Sequence, residues 1–211
     1  MGAKGRTSLE PRKTPVQARA TATVDAIAEA TIQVLLSHGV DRLTTTRVAE
    51  RAGVSVGTLY QYYRNKQSLL FAVLEDHLER VSAAVEAACA RSHHKPLSEM
   101  VRVVVEAFVD SKMERPDVST ALYQIAKEVG GPALVKRTNQ RSRKAMAAML
   151  LTAPSVSPPD GFAIEMMLSA MRGATRSVLE AGPSPAMVRK LRLQLVLMCQ
   201  AYMMAVTAGC P

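Results

Sequence analysis

The chain predicts an all-α fold of about nine helices, with a three-helix head joined by one long helix to a larger helical body. Apolar residues recur at i, i+3, i+4 and i+7 in segment after segment, and no stretch alternates as a half-buried strand does. Glycines and prolines fall between those segments, where helices stop and start. With 211 residues and 48% hydrophobic side chains, the chain can bury a sizeable core.

Residues 1–19 carry Lys4, Arg6, Arg12, Lys13 and Arg19 against Glu10, with Gly2, Gly5, Pro11 and Pro15 disfavouring helix. This segment reads as a flexible basic arm suited to phosphates or a minor groove. Val24, Ile27, Ala28, Thr31, Val34 and Leu35 then form one helix face, which Gly39 ends. Thr44 is a natural N-cap for a short helix in which Val48, Ala49 and Ala52 share a face, and Gly53 supplies a left-handed turn. Ser55 caps the next helix. Its Leu59 and Tyr63 point back at the previous one, leaving Val56, Thr58 and Gln61 on the other side.

Asn65 caps a long helix from Lys66 to about Arg91, with an apolar face through Leu69, Leu70, Val73, Leu74, His77, Leu78, Val81, Val85 and Ala88. Pro96, Pro116, Pro132, Pro158/Pro159 and Pro185 mark further helix starts, giving helices near 96–114, 117–129, 132–152, 159–181 and 184–208. Residues 152–159 read as a loop. The division is an arm over 1–19, a head over 20–66 and a body over 67–211.

Two short helices joined by a tight turn place the second in the major groove of DNA. Near the start of that helix, Val56, Gly57 and Thr58 are base-facing candidates, with Gln61 on the same side: a methyl, a close backbone approach and hydrogen-bonding groups. Tyr60, Tyr62 and Lys66 supply two hydroxyls and an ammonium for phosphates. Lys66 also opens a helix whose N-terminus attracts anions.

The run LTTTRVAERAGVSVGTLYQYYRNK over residues 43–66, with the amphipathic helix before Gly39, resembles the DNA-binding domain of the TetR family of bacterial transcriptional regulators over residues 24–70. The resemblance implies a helical homodimer that binds operator DNA through the head and an inducer through the body. It puts Thr45, Thr46, Tyr60, Tyr62 and Lys66 on phosphate-contacting positions and Val56, Gly57 and Thr58 on base-facing ones, with Arg47 an additional phosphate candidate. Tyr62, Tyr63 and Arg64 depart from residues common in the family.

A net charge of +9 suits a polyanionic partner. Cys89, Cys199 and Cys210 lack metal or disulfide spacing and read as reduced thiols, while adjacent His93 and His94 read as a solvated helix end. Lys136, Arg137, Arg141, Arg143 and Lys144 crowd one half of a helix and read as a solvated face.

The last two helices are apolar on more than one side, through Phe162, Met166, Leu193, Leu197 and Met204 among others, so a second subunit is expected to cover residues 159–208. Met100, Val104, Phe108, Leu122, Tyr123, Met146, Met149, Met166 and Met171 are candidates to line an apolar ligand cavity, and are equally what a plain helical core contains. Arg172, with Arg102 and Arg176, is a candidate for an anionic group or a surface charge.

The expected function is a repressor released from a palindromic operator by a small, mainly apolar inducer. A ligand-dependent co-repressed regulator or activator is the alternative, and a helical adaptor a distant one. No catalytic grouping, metal site or cofactor motif is found, and no signal or membrane-spanning stretch, so a cytoplasmic, nucleoid-associated protein is expected.

Overall fold

The computed structural model describes residues 15–126, 128–154 and 157–208. Within them the chain forms nine α-helices: α1 (Pro15–Arg42), α2 (Thr45–Ala52), α3 (Val56–Tyr62), α4 (Lys66–Ala90), α5 (Leu97–Met113), α6 (Pro116–Ile125), α7 (Gly131–Leu150), α8 (Gly161–Glu180) and α9 (Pro185–Thr207). Residues 1–14 of the expected arm lie outside the described residues. The rest of it is helical, because Pro15 takes the first helical position, where a missing N–H costs little. Gly39, at φ 74°, breaks α1 before its last turn.

The helices build two apolar clusters. Ile27, Leu35, Leu43, Val48, Leu59, Leu69 and Leu70 fill the head, while Val85, Met100, Val104, Phe108, Met146, Met167 and Leu195 lie in the body. α4 contributes to both, with Leu69 to Leu74 in the first and Val81 to Cys89 in the second. α6 belongs to the head cluster as well, through Val118, Leu122 and Ile125. Packing therefore does not divide at residue 66.

α6 ends at Ile125, short of the expected 129, because the chain doubles back. The Gly131 N–H donates to the Ala126 carbonyl at 2.8 Å. A Cβ on Gly131 would stand 2.3 Å from that oxygen, so only glycine fits.

α4 and α7 pack along a polar seam, where Ser82 Oγ lies 3.3 Å from Ser142 Oγ and 3.4 Å from the Thr138 carbonyl. The basic half of α7 is more than a solvated face. Arg137 reaches Glu75 at 2.5 Å, and Arg141 pairs with both Glu79 and Glu86, leaving Lys136, Arg143 and Lys144 exposed.

Where α4, α5 and α6 meet, His77, Lys112 and Ser119 are buried together. The Lys112 ammonium, which has no acceptor of its own, donates to His77 Nε2 at 3.2 Å, and Ser119 Oγ donates to the Lys112 carbonyl at 2.8 Å. Burial, then the nearby Lys112 and Arg80 charges, push the His77 imidazole down to about 3. Burial alone lowers Lys112 to about 8.

Gly131→Ala is expected to cost about 1–3 kcal/mol in urea unfolding; an unchanged midpoint would mean that the turn yields. His77 takes up a proton near pH 6.5 in the unfolded chain but only near 3 when folded. The unfolded state thus binds more protons between these values, and stability falls as pH drops through the window. Urea midpoints at pH 7 and 4.5 should differ less in His77→Gln than in the parent; an equal drop would remove His77 as a cause.

Candidate functional site

Local chemistry fixes the α2–α3 unit. Thr44 Oγ1 accepts the Arg47 N–H at 3.3 Å, opening α2. At its end Gly53 sits at φ 68°, in the left-handed region, and the Val54 N–H donates to the Ala49 carbonyl at 3.0 Å. Ser55 Oγ then accepts the Thr58 N–H at 2.9 Å, starting α3 two residues after the turn glycine. Leu59 is fully buried in the head cluster. Tyr63 packs half-buried against that cluster, and burial raises its phenol above the usual range. Asn65 and Ser68 form a reciprocal capping box at the start of α4.

This framework leaves an exposed rim of hydroxyls. Tyr60 and Tyr62 are 50% and 40% exposed, and Tyr60 Oη lies 3.1 Å from Thr45 Oγ1, so two phosphate candidates from different helices meet. Thr46, Arg47, Gly57 and Gln61 are exposed too.

Four side chains depart from expectation. Val56 is half-buried against the head cluster rather than turned freely outward. Thr58 is half-buried, its Oγ1 2.8 Å from Ser55 Oγ within the cap. The Arg47 guanidinium donates to the Arg42 carbonyl at 2.6 Å, and the Lys66 ammonium donates to the Val40 carbonyl at 2.5 Å. The two cations thus tie down the turn between α1 and α2. Each keeps further N–H donors for a phosphate.

The body holds a partly open cavity of about 70 Å³ where α4, α5, α6, α7 and α8 converge. Of the ligand candidates, Phe108, Tyr123 and Arg172 reach its wall. Met100, Val104, Met146, Met149 and Met171 are core filling, and Leu122 lies in the head cluster. Met166 is 46% exposed on the outer side of α8. Arg102 pairs with Glu106 at the surface, and Arg176 pairs with Glu180 while lying over the Tyr123 ring. Sequence reading missed Ser82, Lys112, Thr138, Asn139 and Ser142, which also line the cavity. Lys112 carried a usable signal, since it follows Val101, Val104 and Phe108 on the apolar stripe of α5.

Phe162, Leu193, Leu197 and Met204 stand 47–71% exposed along α8 and α9, and a groove of about 140 Å³ between Met166, Ala170, Met198 and Tyr202 runs beside them. Burial pushes the Cys89 thiol up to about 12 and the Cys199 thiol to about 11, so both are protonated and unreactive near neutrality; Cys210 lies outside the described residues. His93 and His94 pack edge to face after α4, and the His94 N–H donates to Thr152 Oγ1 at 2.9 Å. Among the described residues, no helix is long and apolar enough to cross a membrane.

Two family models match the chain: "Bacterial regulatory proteins, tetR family" over residues 22–73, and "Tetracyclin repressor-like, C-terminal domain" over residues 96–203. The transcriptional regulator BetI of Serratia proteamaculans is 28% identical over 119 residues, 56% of this chain and 60% of that protein. The transcriptional repressor KstR of Mycolicibacterium smegmatis is 39% identical over 62 residues, 29% of this chain and 30% of that one. The chain therefore spans less than two thirds of either relative. At the level of fold, it is similar to LfrR of Mycobacterium smegmatis, solved in complex with proflavine, with a TM-score of 0.56 and 22% identity over 84% of this chain and 96% of that one. With the second model alone matching more than half of the chain and the first matching its helix-turn-helix head, the chain belongs to the TetR family of DNA-binding transcriptional regulators, a non-enzymatic family.

Proposed function

We propose that this regulator is a repressor, which occupies a palindromic operator as a homodimer and leaves it when a small molecule enters the body cavity. One observation carries the reading: α6 serves the cavity and the head at once. Its Tyr123 lines the cavity, while the adjacent Leu122 and Ile125 pack in the head cluster. A ligand that shifts α6 therefore moves groups on which the head rests. The Arg115 guanidinium adds a second tie, with bonds of 2.7 and 3.3 Å to both carboxylate oxygens of Glu29 on α1. The ligand acts only through its differential affinity for the two head arrangements.

In this reading α3 enters the major groove while α2 crosses the backbone. Thr45, Thr46, Arg47, Tyr60, Tyr62 and Lys66 meet phosphates, and Gly57, Thr58 and Gln61 meet base edges, with Val56 contributing at most its half-exposed methyls. The outer faces of α8 and α9 pair with their copies, setting the two heads about one helical turn of DNA apart. The printed name of KstR as a repressor and the proflavine complex of LfrR fit this logic without identifying an operator or inducer here.

Tyr60→Phe should weaken binding to all operator sequences alike, whereas Thr58→Ala should change which sequences are selected. Lys66→Met should also weaken binding uniformly and lower the salt slope by about 0.9. Binding-site selection and salt titrations check these; a Thr58→Ala protein that chose the parent's sites would remove Thr58 from the base-facing set.

Leu193→Glu with Leu197→Glu should give a folded monomer in sedimentation and cost at least about tenfold in operator affinity. A dimer persisting in the double variant would place the subunit interface elsewhere. Operator affinity with and without ligand separates release from co-repression.

A further inference from the structure

The body cavity has a mixed wall, in which apolar side chains stand beside the hydroxyls of Ser82, Thr138 and Ser142 and the cations of Lys112 and Arg172. Phe108, Val81, Val85 and Leu168 supply apolar wall, and Lys112 lines the same cavity. Lys112 is only 3% exposed. Its contacts are His77 Nε2 at 3.2 Å and the face of the Tyr123 ring at 4.8 Å, neither of which carries a negative charge. Among the described residues, no carboxylate forms an ion pair with it, whereas Arg172, which also lines the cavity, pairs with Glu165 at 2.8 Å. The fold thus holds an ammonium out of water with its charge uncompensated, a state that ordinarily calls for an anion.

We infer that the cavity is a site for a short-chain aliphatic monocarboxylate, its carboxylate on the Lys112 ammonium and its alkyl end against Phe108, Val81, Val85 and Leu168. This rests on the proposed reading of the cavity as the ligand site and makes the mainly apolar inducer an amphiphilic one. Three features select that class. The uncompensated charge is positive and single, which favours a monoanion. The Ser142 hydroxyl, 3.3 Å from Ser82 Oγ on the α4–α7 seam, can donate to a second carboxylate oxygen or to a water beside it, whereas Ser82 and Thr138 already donate to Glu86 and to the Leu134 carbonyl. The volume, about 70 Å³, is roughly half that of the engineered ~150 Å³ cavity that takes up benzene, so the ligand has few heavy atoms.

Energetically, the lysine is already desolvated in the folded protein, so an arriving carboxylate meets a preorganised partner and gives up only its own hydration. With its proton held down to about pH 8, Lys112 is still charged near neutrality, and an anion beside it strengthens that protonation. His77, uncharged at the same pH, keeps the ammonium in place as an acceptor without competing for the anion.

The test uses the full chain at pH 7, with butyrate, n-butanol and n-butylammonium titrated by calorimetry and operator affinity measured separately. Butyrate should bind at least tenfold more tightly than either probe, and Lys112→Met should lose about 10- to 100-fold of that affinity, with Lys112→Gln as the variant should the methionine protein fail to fold. Equal binding of butanol, unchanged butyrate binding in the variants, or no binding by any probe would overturn the inference. Butyrate binding that leaves the operator complex intact would support the carboxylate site while removing the cavity from the control of DNA binding.

Discussion

The molecule is organised around one constraint: α4 is a single unbroken helix that completes two cores. From Lys66 to Ala90 it spans roughly 37 Å, with Leu69 to Leu74 closing the head and Val81 to Cys89 closing the body. The head is too small to bury much apolar surface by itself, and it borrows further from Val118, Leu122 and Ile125 of α6. Its stability is therefore not its own. A change in the body that displaces α4 or α6 is felt as a change in head packing, which is what a transmitted signal requires physically.

Electrostatics sort the surface around the same helix. Glu75, Glu79 and Glu86 face one side of α4 and take up Arg137 and Arg141 of α7. Exposed pairs of this kind are screened by water and contribute little to stability, so their effect is more on where the net charge of +9 appears. The cations of α7, which would otherwise compete for a polyanion, are partly neutralised. Lys66 and Arg47 on the head are held by backbone carbonyls instead, which fix their position without cancelling their charge.

Most helices were legible in the sequence because the caps and breakers act locally. Thr44, Gly53, Ser55 and Asn65 each sit where the backbone needs them, so the helix-turn-helix followed from neighbours a few residues apart. Pro15 misled, because a proline disfavours helix everywhere except the first turn, and composition does not say which applies. The ligand candidates were the least legible. Methionine marks adaptable packing, yet whether it fills a core or borders a void depends on helices far apart in sequence, and five of the candidates simply fill. The cavity's defining group is Lys112, a charged residue on an apolar stripe, and a search for apolar lining passes over it.

The head itself is built to stay rigid. Both short helices are capped at their starts, Leu59 is locked in the shared core, and the turn before α2 is tied through the Val40 and Arg42 carbonyls to Lys66 and Arg47. Melting the reader would break these interactions together, at a cost exceeding the 1–3 kcal/mol typical of coupling between sites. Moving it as a body breaks few of them. In the proposed release, the ties that yield include those of α6 to the head cluster and the Arg115–Glu29 pair, whose half-exposed groups re-form with water at little cost. A signal of ordinary size is therefore better matched to tilting the reader than to unfolding it. In the proposed dimer, a tilt at each head would move the two α3 helices out of register with successive major grooves.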